Sequence, residues 1–213
     1  MFYYDIHTHQ PSVLPEDIAI VNTIVKDGDD LLLPAQWCSV GIHPWYIYNV
    51  REQLSLLESV LSDPSVVAIG EAGLDKLAEV SLDIQQSTFR EQVLLAEKAD
   101  KPLIVHCVKA WAELIAMKRS VKPHIPWIVH GFRGNAELAG QLLREGFYLS
   151  FGEHFNPQAL QTAWPGRLLA ETDDRETDIR SVYRQIAASL HISLEELDIT
   201  LERNVQNIFP FVR

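Results

Sequence analysis

Six side chains able to ligate a divalent metal stand where apolar runs of this sequence end. They are His7 and His9 in "DIHTHQP", Glu71 in "GEAGLD", His106 in "IVHC", His130 in "IVHG" and Asp173 in "ETD". In an extended strand, residues i and i+2 share a face, so His7 and His9 would point the same way. Imidazole suits Zn, Fe, Ni and Cu and, mixed with carboxylates, Mn. Taken singly, each has a bland explanation: Glu71 could pair with a lysine, and Asp173 could cap a helix starting near Arg175. Together they do not, because a set of buried ionisable groups without a charge partner is costly to desolvate, and a metal ion supplies the partner. His43, in "GIHP", ends another apolar run. A lone histidine there reads as a hydrogen-bonded group that assists catalysis more readily than as a ligand. His124 and His191 look structural.

Something must bring these positions to one place. Eight short apolar runs, "FYYDIH", "IAIVNTIV", "WCSVGIH", "VVAIGEAG", "PLIVHCV", "PWIVHGF", "FYLSFG" and "RLLAETD", are nearly continuous and not alternating. Strands covered on both faces, as in parallel sheets, read this way. Helical periodicity lies between them at 51–61, 85–100, 110–119, 136–144 and 176–190. A last helix opens with Ser193 and Glu196 in capping-box spacing. Strand–helix alternation with eight strands predicts a compact (β/α)8 TIM-like barrel with its active site at the C-terminal strand ends. An open doubly wound sheet is the alternative, but no glycine-rich phosphate loop follows the first strand. The connections 10–17 and 26–35 offer no good helix, so the outer helices after the first two strands are reduced. The segment 193–209, or a second copy of the chain, is expected to cover the staves left bare. The absence of repeats and linkers makes 1–213 a single domain.

With 213 residues, 47% hydrophobic and 22% charged, the chain has an ordinary globular composition. No run is long enough to span a membrane and no signal-peptide pattern opens it. Cys38 and Cys107 each lie inside apolar runs and read as buried thiols of a reducing compartment, the cytoplasm by default. The net charge of −11 argues against nonspecific grip on nucleic-acid phosphates. It leaves room for an enzyme whose cationic surface is a metal centre.

The set "HTH", "GIHP", "GEAGLD", "IVHC", "HGF" and "ETD", in this order, resembles the TatD family of metal-dependent deoxyribonucleases, of the metallo-dependent hydrolase superfamily of distorted (β/α)8 barrels. The resemblance runs from Asp5 to "NVQNIF". It implies one metal held by His7, His9, Glu71 and Asp173, and a second by Glu71, His106 and His130, with Glu71 bridging. Such a pair suits in-line phosphoryl displacement by an activated water, with Asp173 taking the proton. The mixed ligands leave Zn, Mn, Ni and Mg open.

The chain also departs from the family pattern. Val108 stands where an arginine is usual, "HGFRG" replaces "HCFSG", and no proline closely follows "ETD". Arg133, Lys109 and His154 are the candidates to bind substrate phosphate in its place, with an Arg133–Glu137 ion pair as the plain alternative. Glu171, two residues before Asp173, is expected to support a ligand from behind. The implied substrate is a phosphodiester, with DNA ends foremost. A metal-dependent hydrolase of a small molecule is the second reading, and a non-catalytic barrel that binds a ligand or partner the third.

Overall fold

The computed structural model describes residues 2–12, 14, 17–26 and 31–209. Eight strands occur at the eight apolar runs: β1 Tyr3–Thr8, β2 Asp17–Ile24, β3 Cys38–Gly41, β4 Val66–Asp75, β5 Leu103–Val108, β6 Trp127–Val129, β7 Phe147–Phe151 and β8 Leu168–Ala170. Their sheet order is the chain order, β1 to β8. The helices are α1 Val50–Val60, α2 Leu82–Ala99, α3 Trp111–Val121, α4 Ala136–Arg144, α5 Pro157–Ala163, α6 Ile179–Leu190 and α7 Leu194–Gln206. Residues 13, 15, 16 and 27–30 of the two thin connections lie outside the described residues, and the described residues of both connections hold no helix.

Local chemistry sets the helix ends. Ser193 accepts the Glu196 N–H at 3.1 Å, as its capping spacing predicts. Asp178 caps α6 through the Arg180 N–H, so that helix begins three residues later than periodicity suggests. The expected first residue of α2, Gln85, is preceded by one more turn. Sequence periodicity missed α5 entirely. At seven residues it is too short to show a period, and its visible marks are Asn156, which accepts two N–H groups, and Pro157 in the first turn.

The chain divides into two compact units. In the first, which runs up to Val21 and resumes at Ile128, β1 pairs in parallel with β2 from Tyr3↔Asp17 to Thr8↔Val21, and β7 with β8. Thr8 also bridges to Asp173, whose N–H donates to His7 O and whose carbonyl accepts the His9 N–H, both at 2.9 Å. α6 and α7 cover β1: the Tyr183 hydroxyl accepts the Tyr4 N–H at 2.9 Å, and the Tyr4 hydroxyl donates to Glu202. Asn204 of α7 donates to the carbonyls of Pro165 and Leu168. The expectation that 193–209 covers a bare stave therefore holds for β1.

In the second unit, Asn22–Trp127, β4 pairs in parallel with β3 and β5. All ten residues of β4 are buried, which explains its unbroken run of apolar and small side chains. α2 turns Phe89, Val93 and Ala96 inward at helical spacing, and Phe89 meets Trp127 edge to face at 5.3 Å. Three buried glutamines on helix faces satisfy backbone groups at strand ends. Gln92 accepts the Ile42 N–H and donates to its carbonyl, Gln85 does the same for Asp75, and Gln53 serves Val25, Tyr46 and Tyr48. Each such bond contributes about 1 kcal/mol, but leaving a buried backbone group bare costs more. The strand ends bearing His43 and Asp75 are thereby held still.

Candidate active site

In the first unit, His7 is fully buried within β1 and His9 lies just past it with its side chain 35% exposed. Their Nε2 atoms stand 3.6 and 3.5 Å from Asp173 Oδ1. The His130 ring lies 4.3 Å from that of His7, centroid to centroid. Asp173 does not end β8, which stops at Ala170; it sits beyond it in a left-handed turn, φ 58°, clamped to β1 by the backbone bonds above. Asp5 anchors the same turn: its carboxylate accepts the Thr172 N–H at 3.0 Å and hydroxyl at 2.6 Å. Complete burial pushes the Asp5 carboxyl up to about 7, against the pull of the Thr172 hydrogen bonds. Glu171 is also fully buried. Its Oε1 accepts the Gly131 N–H at 2.6 Å and lies 3.4 Å from His130 Nδ1, and its Oε2 has no hydrogen-bond partner among the described residues.

This group fits a cation. The ligand atoms of His7, His9 and Asp173 all lie within 4.8 Å of one another, as do those of His130, Glu171 and Asp173. The 3.5–3.6 Å gaps are too long for good hydrogen bonds. They are close to the roughly 3.4 Å that separates two ligand atoms about 2.1 Å from a tetrahedral ion.

The second unit builds a tighter group. His43, Glu71 and His106 offer ligand atoms within the same 4.8 Å limit. Glu71 Oε1 lies 2.6 Å from His106 Nδ1 and 3.2 Å from His43 Nε2, and Oε2 accepts from Asn22 at 3.3 Å. Asn22 returns the contact by accepting the Glu71 N–H at 2.9 Å. His43 Nδ1 accepts the Trp45 N–H at 3.1 Å, so its proton resides on Nε2 and points at Glu71. The other nitrogen of His106 lies 3.1 Å from Asp75 Oδ2, which also accepts the Trp45 indole N–H at 2.6 Å. Burial pushes the Asp75 carboxyl up, but the Leu77 N–H, His106 and Trp45 outweigh it and hold the group below the usual carboxylate range. Asp75 thus orients the His106 ring, with Nδ1 turned to Glu71.

Glycine makes this approach feasible. Gly73, φ 155°, pairs with His106 across β4 and β5, and a side chain there would strike the His106 carbonyl.

Other expected residues are scattered. Arg133 and His154, both exposed, line a small pocket with Arg175 beside Glu171 and Asp173. Arg133 makes no ion pair with Glu137. Lys109 is exposed in a left-handed turn between β5 and α3 of the second unit. His124 pairs with Glu97, and His191 is the left-handed C-cap of α6. Sequence reasoning did not single out Asn22, Asp75 or Trp45. The only signals were an amide inside the apolar run "IAIVNTIV" and the acid closing "GEAGLD".

The family described as TatD related DNase matches residues 31–210. The chain belongs to that family. Over 196 residues it is 29% identical to the protein named uncharacterized metal-dependent hydrolase YabD of Bacillus subtilis, covering 81% of this chain and 77% of the relative. It is 34% identical over 116 residues to the 3′-5′ ssDNA/RNA exonuclease TatD of Edwardsiella piscicida, 53% of this chain and 45% of that protein. The crystal structure of the TatD homologue YjjV from Escherichia coli superposes with a TM-score of 0.79 at 19% identity, over 98% of each chain. The (β/α)8 class expected from strand–helix alternation is thus the fold of this TatD-family chain. It is a metal-dependent hydrolase by family. No helix among its described residues is long and apolar enough to cross a membrane.

Proposed function

We propose that the protein is a nuclease that hydrolyses phosphodiesters of nucleic-acid strands with two divalent metal ions. The observation that carries this is the pair of histidine–carboxylate groups, each with ligand atoms within 4.8 Å, in a chain of the TatD family. A relative named as an ssDNA/RNA exonuclease supports the substrate class. His7, His9 and Asp173 would hold one ion. Glu71 and His106 would hold the other, His106 oriented by Asp75 and Glu71 by His43 and Asn22. His130, turned by Glu171 at its Nδ1, would add Nε2 as a ligand. The bound ions would polarise the phosphoryl oxygen and acidify water.

Asp173 accepts the proton of the attacking water. Its side chain is 22% exposed, so solvent reaches it, and the backbone clamp holds its orientation. Arg133 and His154 face the same small pocket and would bind a nonbridging phosphate oxygen, replacing the arginine that Val108 lacks; Lys109 is the candidate from the second unit. Both cysteines are free and buried, which supports a reducing compartment such as the cytoplasm.

The test is metal analysis of the purified protein, followed by a chelator-sensitive assay on single-stranded DNA, RNA, a generic phosphodiester and cyclic amides. Cleavage of the strands that is lost with chelator and restored by Zn, Mn, Ni or Mg is the expected result. Turnover of an amide with no phosphodiester cleaved overturns the proposal in favour of a small-molecule hydrolase.

A further inference from the structure

One aromatic side chain beside the second histidine–carboxylate group is left without a task by the hydrolytic reading. Trp45, two residues after His43, is 54% exposed. Its ring centroid lies 5.4 Å from that of His43 and 6.4 Å from that of His106, with the planes 88° and 71° apart. Its indole N–H is tied to buried Asp75 at 2.6 Å. The other Asp75 oxygen accepts the Leu77 N–H at 2.7 Å, and Leu77 is 64% exposed. An exposed tryptophan and an exposed leucine are therefore tied to the two oxygens of one buried carboxylate.

Exposing this much of an indole forgoes the hydrophobic gain that burial would bring. Fold stability does not require it, since the hydrogen bond to Asp75 uses only the polar edge. That same bond immobilises the ring, so a ligand that covers it has little side-chain freedom to freeze out.

We propose that Trp45, flanked by Leu77, is a stacking platform for a nucleobase of the strand being cut. The inference rests on the nuclease reading above and adds a contact to the base, where the metal centre, Arg133 and His154 act only on phosphate. Stacking tolerates every base, because each has a π-face, so the platform gives affinity for base-bearing strands without sequence preference.

The test compares binding of a short fluorescent oligothymidylate with that of an abasic oligonucleotide of equal length. Anisotropy is read on the metal-loaded protein with both strands carrying phosphorothioate linkages, which resist cutting. The full-length wild-type protein should bind the base-bearing strand about tenfold more tightly. Trp45→Ala should bind both strands alike at the wild-type abasic affinity, whereas Trp45→Phe, which can stack but cannot donate to Asp75, should keep most of the preference. Retention of the preference by Trp45→Ala overturns the proposal, as does its absence from the wild type. A role confined to holding Asp75 would weaken both strands equally and would strike Trp45→Phe as hard as Trp45→Ala; that pattern overturns it too. Failure of the metal-loaded enzyme to cleave any phosphodiester would sink the nuclease reading in a separate assay, and the binding ratio would still report on the platform.

Discussion

The two units carry the same donor types but hold them differently. In the second unit the donors are closed on one another. Glu71 has His106, His43 and Asn22 within 2.6–3.3 Å, and His106 is backed by Asp75. In the first unit Asp173 faces two imidazoles across 3.5–3.6 Å, and Glu171 carries a buried oxygen with no hydrogen-bond partner among the described residues. One group is prebuilt by its own hydrogen bonds. The other is spaced for a cation and holds a buried carboxylate oxygen that a cation would partner. The first unit should therefore lean on its ion for local order more than the second, whose donors already hold one another.

The largest effect should come from the spaced group. Asp173→Asn keeps a residue at ease in the left-handed turn but removes the proton acceptor and a metal ligand. We expect turnover of an oligonucleotide to fall about a thousandfold, roughly 4 kcal/mol in the barrier, with the far-ultraviolet circular dichroism unchanged. A loss below tenfold would take the proton-accepting role away from Asp173.

Metal removal should then separate the units directly. At a hundredfold excess over Kd, a bound ion stabilises what it holds by about 2.7 kcal/mol, which is about a hundredfold in amide protection. Hydrogen exchange with and without chelator should show that change at residues 5–9 and 171–173 and much less at 71–75 and 103–108. Equal changes in both would break the contrast.

A smaller loss should follow from disturbing the prebuilt group. Asp75→Asn keeps one oxygen, enough for either the Trp45 or the Leu77 donor but not both, and loosens the hold on the His106 ring; we expect a ten- to hundredfold loss of metal affinity by titration calorimetry. An unchanged affinity would mean that His106 needs no such support.

The smallest effect is one that should stay nearly absent. Burial pushes Cys107 up to about 12 and Cys38 up to about 11. Below those values the folded state keeps both thiols protonated, so at pH 8 alkylation of the native protein should be slow and should become fast on unfolding. The raised values stabilise the fold fully below the ordinary thiol range and lose that contribution as pH rises from about 8.5 toward 11 for Cys38 and toward 12 for Cys107. Both cysteines belong to the second unit, so chelator should speed their labelling less than it speeds exchange at residues 5–9; an equal effect would mean that unit leans on its ion as much.

Much of this was legible in the chain. Each of the eight apolar runs became a strand, because residues covered on both faces must be apolar whatever they pack against. Ser193 capped its helix because a cap involves only neighbours three residues apart. Helix α5 and the late start of α6 were hidden, the first by its length and the second by a cap set closer to the helix than the periodic pattern began.

By itself the sequence determined the donor types and their positions at or near strand ends, along with strand–helix alternation. All of these follow from local periodicity and from the chemistry of single side chains. Tertiary structure alone decided which donor supports which. Asp75 meets His106 only because parallel pairing sets Gly73 opposite His106 and glycine permits the close approach. Asp173 leaves β8 for a left-handed turn only because β1 supplies both halves of its backbone clamp. Contacts between residues 31 or 166 positions apart depend on register and on the packing of whole elements, and no local pattern in the chain encodes those.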